Sequence, residues 1–245
     1  MEQPTEARIA ALEAELAALR AEMQEFTHTV SHDLRAPLRH IVSFAQLVQE
    51  DAGHLLNPEV QGFLDTIGSS ARHMGLLLDG LTALSRLGGL PLDLYPVPLQ
   101  SVVDEVCTEL RIQQAPRSLD WHVADDLPVV HADPNLLRQA LRHVLGNAVK
   151  FTVGTEPARI DIGTVASPDP HTVVLQIRDN GAGFNPALQS QLLRVFGRLH
   201  SAQQFEGIGM GLVLTRKIMQ RLGGAVGIDA TLDGGCCVRL TLPLG

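Results

Sequence analysis

A heptad repeat of apolar residues near the start of the chain constrains its fold more than any other sequence feature. The apolar residues alternate in steps of three and four, at Ile9, Leu12, Leu16, Leu19, Met23, Phe26 and Val30. No glycine or proline interrupts them, and Ala, Glu and Arg occupy most positions between them. A single amphipathic helix packed on its own domain is one interpretation. We favour a coiled coil between two chains, because the apolar stripe is narrow and its flanks are charged.

The helical pattern continues without a break through residues 26–50, and a second helix is predicted at 59–87. Between them, residues 51–58 contain Gly, Asn and Pro, which predict a loop. Pro37 lies within the first helix and predicts a kink there, since proline removes one backbone hydrogen bond. Two antiparallel helices cannot bury their apolar faces alone, so we expect two copies of the chain to form a four-helix bundle.

Beyond residue 90 the pattern changes to short strands mixed with helices. Predicted strands lie at 97–99, 119–123, 129–131, 158–165, 172–179, 225–229 and 235–242, and predicted helices at 101–113, 134–150 and 211–222. Elements mixed in this way predict a two-layer α/β sandwich. The expected fold class is therefore α+β, with a coiled coil and a helical hairpin followed by the sandwich.

The composition excludes several classes of protein. With 45% apolar residues among 245, the chain is globular rather than disordered. No run of about 18 apolar residues predicts a membrane helix, and the first ten residues lack the features of a signal peptide. We therefore expect a cytoplasmic protein or fragment. The net charge of −8 argues against nucleic-acid binding, and three cysteines without a CxxC spacing predict neither a metal site nor a disulfide framework.

Three short motifs in the second half of the chain suit nucleotide binding. They are Asn147 in LGNAVKFT, the DNGAGF motif that begins at Asp179, and the GIGMG motif that begins at Gly207. An amide oxygen can ligate Mg²⁺, and a carboxylate can accept a hydrogen bond from the adenine amino group. Gly181 and Gly183 let the backbone approach a flat ring, and a glycine-rich run opening a helix presents N–H groups to phosphates. Taken alone, DNGAGF is equally typical of a hairpin turn and GIGMG of a flexible loop.

Together and in this order, the motifs resemble those of the GHKL ATPase superfamily, which includes histidine kinases, Hsp90-type chaperones, MutL-type repair proteins and type II topoisomerases. The block 133–152 resembles its N box, DNGAGF its G1 box, LLRVFGRLHS its F box, and GIGMGLVLTRKIMQRLGG its G2 box. The resemblance implies the Bergerat form of the α/β sandwich, with a short ATP lid at about 200–206.

The same resemblance implies roles for individual residues. Asn147 would hold Mg²⁺ and Asp179 would read adenine, while the basic residues Lys150 and Arg198 are placed to reach phosphates. The glycines of the GIGMG motif would hold the end of the lid over the phosphates. The full set of implied nucleotide-binding residues is Asn147, Lys150, Asp179, Gly181, Gly183, Arg198, Gly207, Gly209 and Gly211.

The sequence SHDLRAPLRHI at 31–41 resembles the H box of HisKA, the dimerisation and phosphoacceptor domain of histidine kinases. The resemblance implies that His32 receives a phosphoryl group and that Asp33 orients the imidazole or takes its proton. Imidazole suits this role, because a large fraction of it is neutral and nucleophilic near pH 7. The implied domains are a coiled-coil signalling helix at 1–25, a dimerisation and phosphoacceptor domain at 26–90, and an ATP-binding catalytic domain at 91–245.

These likenesses imply a sensor histidine kinase. It would use ATP and Mg²⁺ to phosphorylate His32 within a homodimer and then pass the phosphoryl group to an aspartate of a response-regulator receiver domain. We expect the sensor domain to lie upstream in a longer protein or to act in trans. The sequence HSAQQFEGIGMGL is similar to that of phytochrome-associated kinases, which favours a light sensor.

Two residues depart from the family pattern. His143 stands where many N boxes carry a second Asn, which puts the Mg²⁺ geometry in question. Ala36 stands four residues after His32, where kinases that also dephosphorylate their partner often carry Thr or Asn. Because alanine cannot orient a water by a side-chain hydrogen bond, we expect weak phosphatase activity.

Three alternatives stay open at this point. Another ATPase of the GHKL superfamily, such as a chaperone ATPase, is disfavoured because residues 136–151 contain no Glu or Asp that could activate water. A signalling scaffold with a degenerate kinase domain is supported only by His143. A zinc site at His28 and His32 lacks the intervening Glu of the HExxH pattern.

Overall fold

The structure is a computed structural model that describes residues 3–89, 91–114, 117–201 and 204–245. The chain divides into two compact units, residues 1–90 and 91–245. Three predicted segments extend over residues outside this description: the coiled coil at residues 1 and 2, the hairpin at residue 90, and the ATP lid at residues 202 and 203.

The first unit is a helical hairpin. Helix α1 spans Gln3–Ala52 and helix α2 spans Pro58–Leu87, with a short 3₁₀ turn at Gly53–Leu55 between them. The predicted loop at 51–58 is thus shorter than expected, because α1 continues to Ala52 and Asn57 caps α2 by accepting a hydrogen bond from the Val60 amide at 2.9 Å. Helix α1 passes through Pro37 as one element, and the kink there stays a prediction.

Most of the buried residues of the hairpin are small, and many of its large apolar residues are exposed. The buried residues are Thr27, Ser31, Ala45, Gly53, Gly68, Ala71, Gly80, Thr82 and Leu87. Large apolar residues stay exposed along both helices, among them Leu12, Leu16, Leu19, Met23, Phe26, Phe44, Phe63, Ile67 and Met74. An exposed apolar surface of this extent is typical of a protein interface.

The second unit is an α/β sandwich. Its elements are β1 Tyr95–Pro98, α3 Leu99–Gln114, β2 Asp120–Val123, β3 Val129–Ala132, α4 Pro134–Phe151, β4 Arg159–Val165, β5 Thr172–Asp179, α5 Gln189–Leu192, α6 Gly211–Arg221, β6 Ala225–Ala230 and β7 Cys236–Pro243. The main sheet has the order β2-β4-β5-β7-β6; only the β2–β4 pair is parallel. Strands β1 and β3 form a separate antiparallel pair. The predicted α+β class is confirmed, and the short helices at Pro186–Leu188 and Gln189–Leu192 were not anticipated.

Helix α4 is the central element of the second unit. It packs against α3, α6 and β5, and it buries Leu137, Leu141 and Leu145 completely. Asp133 caps its first turn as predicted, since its carboxylate accepts hydrogen bonds from the amides of Asn135 and Leu136 at 3.0 and 3.1 Å. The capped, buried helix fixes the position of the polar residues on its last two turns.

Truncating the core of α4 should lower the stability of the second unit. Leu145→Ala removes a side chain with no exposed surface and should reduce the free energy of unfolding by about 3 kcal/mol. Trp121 is the only tryptophan and lies on β2, so its fluorescence during urea unfolding reports this unit. The matched control is Ile112→Ala, whose side chain is 73% exposed and whose loss should change the free energy by less than about 0.5 kcal/mol. Equal effects of the two substitutions would contradict the assigned core.

Candidate nucleotide and phosphoacceptor sites

A cavity lies in the second unit between the last turns of α4 and the sheet. Asn147 and Phe151 line it from α4, Asp179 from the end of β5, and Cys236 from the start of β7. His200, from the segment before α6, lines the same cavity. The structure thus brings the predicted N-box and G1-box residues together around one space.

Asp179 is the buried acid of this cavity. Its side chain is 6% exposed, and its Oδ1 accepts hydrogen bonds from the amides of Gly181 at 2.9 Å and Cys236 at 3.3 Å. Burial raises the pKa of the carboxyl, and the two amide hydrogen bonds oppose that shift. Because both bonds use Oδ1, Oδ2 is the oxygen left to accept from a ligand.

The glycines of the G1 box are required by packing inside the protein. A Cβ at Gly181 would meet the carbonyl oxygen of Phe151 at the end of α4. Gly183 has a φ of +56°, and a Cβ there would meet the carbonyl oxygen of Thr231. The loop is also tied to α4 by a hydrogen bond of 3.0 Å from the Ala182 amide to the Phe151 carbonyl. These contacts hold Asp179 in place, and an approach of the two glycines to a nucleotide ring stays a prediction.

The glycine-rich segment before α6 is a tightly bent loop. Gly207 and Gly209 have φ values of +129° and +73°, and Gly211 is the first residue of α6. Arg198 donates hydrogen bonds to the carbonyl oxygens of Gly207 at 2.5 Å and Phe205 at 2.7 Å. The Arg198 guanidinium therefore binds the loop in this structure, and its contact with a phosphate stays a prediction.

Lys150 lies beside the same loop. A Cβ at Gly207 would be 3.4 Å from its Nζ, which also lies 4.4 Å from the centre of the Phe151 ring. Burial, and secondarily the charge of Arg198, lower the pKa of Lys150. Two cations thus converge at the glycine-rich loop, where an anionic ligand would relieve their mutual repulsion.

A cluster of three rings, two of which line the cavity, was not anticipated from the sequence. Phe151, His200 and Phe205 contact one another with ring centroids 4.9 to 5.4 Å apart. The Nε2 of His200 also lies 2.9 Å from the carbonyl oxygen of Gly183. Aromatic residues make up only 4% of the chain, so two of them beside the N and G2 boxes were an available signal.

In the first unit, His32 stands on an exposed turn of α1. Its side chain is 75% exposed, and its Nδ1 lies 3.1 Å from the Oδ1 of Asp33. A proton on Nδ1 satisfies this contact and leaves the lone pair of Nε2 available for attack. Arg35 and Asp79 form a hydrogen-bonded ion pair of 2.9 Å that links α1 to α2 one turn further on.

A divalent cation finds few protein ligands in either unit. Among the described residues, no group of three or more His, Cys, Asp or Glu side chains is placed to hold a metal ion. Asn147, on the cavity, offers one hard oxygen. This donor set fits a cation held mainly by the oxygens of a nucleoside triphosphate.

In the same described ranges, no helix has the length and hydropathy needed to cross a bilayer.

A helical hairpin with an exposed histidine–acid pair precedes an α/β sandwich with a buried acid and a bent glycine-rich loop, an arrangement typical of histidine kinases. Family models agree: "His Kinase A (phospho-acceptor) domain" matches residues 22–90, and "Histidine kinase-, DNA gyrase B-, and HSP90-like ATPase" matches residues 132–245. The chain belongs to the histidine kinase family, as its motifs predicted.

Several curated proteins and solved structures are similar over most of the chain. Cyanobacterial phytochrome B of Nostoc sp. (strain PCC 7120 / SAG 25.82 / UTEX 2576) is 28% identical over 96% of the chain and 31% of its own length. The signal transduction histidine-protein kinase BarA of Escherichia coli (strain K12) is 32% identical over 86% of the chain and 23% of its own length. The structure of full-length ShkA in complex with AMPPNP has a TM-score of 0.63 and 26% identity, covering 90% of this chain and 46% of that one. The chain spans less than a third of the length of these curated relatives.

Proposed function

We propose that this chain is an ATP-dependent protein histidine kinase that phosphorylates its own His32. The observation that carries the proposal is the exposed His32–Asp33 pair, which lies in the segment matched by the phosphoacceptor model. The same chain carries a buried acid and a bent glycine-rich loop in the segment matched by the ATPase model.

The proposed chemistry at His32 is an in-line displacement. The Nε2 lone pair forms a bond to the γ-phosphorus, the bond from that phosphorus to the β,γ-bridging oxygen breaks, and ADP leaves. The ring then carries a positive charge, and its Nδ1–H is held by the Asp33 carboxylate 3.1 Å away. Asp33 therefore selects the reactive tautomer before the reaction and stabilises the imidazolium during it.

The second unit would bind and orient the nucleotide. Oδ2 of Asp179 accepts a hydrogen bond from the adenine amino group, and Lys150 faces the phosphates. Asn147 would contribute an oxygen ligand to Mg²⁺, which would supply positive charge beside the phosphates. Arg198 contributes indirectly, because it holds the carbonyl groups of the glycine-rich loop.

We also propose that the kinase works as a homodimer in the cytoplasm and passes its phosphoryl group to an aspartate of a response-regulator receiver domain. The dimer is supported by the heptad stripe and the exposed apolar residues of the hairpin. The sensor that controls it would lie upstream in a longer protein or act in trans. Likeness to cyanobacterial phytochromes favours a light-sensing input.

Charging the heptad stripe should weaken the dimer. Leu16→Glu places a charge at a position that faces the partner helix, and we expect the dimer dissociation constant to rise at least about tenfold. Sedimentation equilibrium of the whole chain measures this change. The control, Ala14→Glu, adds the same charge on the opposite side of the heptad and should leave the dissociation constant within about twofold of the wild type. Unchanged association of Leu16→Glu would contradict the coiled coil.

Incubation of the whole chain with γ-labelled ATP tests the proposal. A kinase yields label bound to the protein that is lost in acid and retained in alkali, which are properties of a phosphoramidate. Release of free labelled phosphate with no protein label would instead support a chaperone-type ATPase. Absence of both products, at ATP concentrations that saturate binding, would support a scaffold and overturn the proposal.

Ala36 lines the groove beside His32, and its effect on phosphatase activity remains a prediction. We expect the wild type to accelerate loss of phosphate from a phosphorylated receiver domain by less than about twofold, because the methyl group cannot orient a water. Ala36→Thr should increase that acceleration, as measured by the decay of labelled receiver. Strong acceleration by the wild type would refute the interpretation.

A further inference from the structure

One side chain that lines the nucleotide cavity has no part in the chemistry described so far. His200 lies at the start of the predicted lid, is half-buried, and lines the cavity together with Phe151 and Asp179. Its Nε2 lies 2.9 Å from the carbonyl oxygen of Gly183. Because a carbonyl oxygen only accepts hydrogen bonds, Nε2 carries the proton and donates it. His200 thus joins the first residue of the lid to the G1 box.

The Gly183 carbonyl depends on His200 for its hydrogen bond. Gly183 is buried, and within the ranges that the structure describes, His200 is the only residue that donates to its carbonyl oxygen. A buried carbonyl left without a donor costs free energy, because it has also lost its hydrogen bonds to water. The loop has little room to turn toward another donor, since the Gly183 backbone packs against the Thr231 carbonyl. Loss of the His200 donor should therefore loosen the G1 box.

His200 also contacts the other end of the lid. Its ring centroid lies 5.1 Å from that of Phe205 and 5.4 Å from that of Phe151. Arg198, two residues earlier, donates hydrogen bonds to the carbonyl oxygens of Phe205 and Gly207. The short segment from Arg198 to His200 therefore contacts both the end of the lid and the G1 box, and His200 is its link to the G1 box.

We propose that His200 is a positioning residue that holds the lid against the G1 box, and that its hydrogen bond to Gly183, rather than the packing of its ring, sets the affinity for the nucleotide. The inference rests on the proposed function, because the nucleotide occupies this cavity. A ligand that binds only the joined arrangement has an apparent affinity reduced by the fraction of molecules in that arrangement. The hydrogen bond raises that fraction, so its loss should weaken binding without slowing phosphoryl transfer at saturating ATP.

Two substitutions of His200 separate the hydrogen bond from the ring. His200→Phe keeps an aromatic ring against Phe151 and Phe205 but has no donor. His200→Gln loses the ring, and its amide N–H reaches about as far as the imidazole Nε2. In calorimetric titrations with AMPPNP, we expect the dissociation constant to rise about tenfold in His200→Phe and to stay within about threefold of the wild type in His200→Gln. Packing alone predicts the opposite order.

The urea midpoint reported by Trp121 fluorescence checks that each variant is folded. Should His200→Phe not fold, His200→Leu lacks the donor in a smaller side chain and gives the same comparison with His200→Gln. In labelling with γ-labelled ATP, the apolar variant should raise KM about tenfold and leave kcat within about twofold. The control His122→Phe, at a half-exposed histidine on β2, should change neither constant by more than about twofold.

Two outcomes contradict different claims. An affinity for AMPPNP in the apolar variant equal to or higher than that of His200→Gln would overturn the inference and leave the proposed kinase intact. Absence of AMPPNP binding to the wild type would instead overturn the proposed function.

Discussion

Replacing His32 by glutamine should abolish labelling of the protein by γ-labelled ATP, with a loss of more than about a thousandfold. Glutamine keeps the length and polarity of the side chain but has no nucleophilic nitrogen. The side chain is 75% exposed, so the substitution leaves the packing of α1 against α2 unchanged. Nucleotide affinity, measured by calorimetry, should be that of the wild type, because the second unit is not altered.

His28→Gln is the matched control for this experiment. His28 is also exposed and stands one turn earlier on α1. We expect it to retain labelling within about twofold, since surface substitutions away from a reacting group have small effects. Acid-labile label that persists in His32→Gln would show that another histidine is the phosphoacceptor. Loss of label in both variants would indicate a general defect of the hairpin.

Asp179→Asn should lower the affinity for ATP analogues by at least about a hundredfold. The asparagine oxygen can still accept the amide hydrogen bonds of Gly181 and Cys236, which fixes its orientation. Its NH₂ group then replaces Oδ2 and presents a donor to the adenine amino group, which is also a donor. Calorimetric titration with AMPPNP measures the loss, and the protein label from γ-labelled ATP should fall in parallel at limiting nucleotide.

The same substitution should not destabilise the second unit. Because burial raises the pKa of Asp179, its contribution to stability is greatest at acid pH and is lost as the pH rises through the folded-state value. Neutral asparagine avoids that loss, so at pH 7 the urea midpoint reported by Trp121 should equal or exceed that of the wild type. The exposed control Asp126→Asn should change neither binding nor the midpoint. If Asp179→Asn lowers the urea midpoint, the loss of binding would be explained by unfolding and not by a lost hydrogen bond to adenine.

Local patterns were sufficient for the elements of the fold. The heptad spacing predicted α1, and Asp133 followed by proline located the start of α4, because both signals depend on residues close in sequence. Helix α1 was predicted to end at residue 50, but it continues to Ala52. Glycine and proline at 51–58 predicted a loop over the whole segment, whereas a 3₁₀ turn occupies part of it.

The site was predictable in outline and not in its contacts. The motifs grouped Asn147 with Asp179, and both residues line one cavity. They did not predict that Arg198 binds the carbonyls of its own loop, and its contact with a phosphate stays a prediction. The motifs also did not predict that Gly181 and Gly183 lie close to the Phe151 and Thr231 carbonyls, and an approach of these glycines to a ligand stays a prediction. Such contacts depend on elements far apart in sequence, which short motifs do not describe.

The uninterrupted helix α1 has a mechanical consequence. From Gln3 to His32 the helix has no break, and at about 1.5 Å per residue this part is roughly 45 Å long. A continuous helix transmits a rotation or an axial shift at its first residues to the turn that carries His32, whereas a flexible loop would not. Any input module fused to this chain must therefore match the angular phase of the helix: splicing in whole heptads preserves that phase, and splicing in three or four residues turns the face that carries His32.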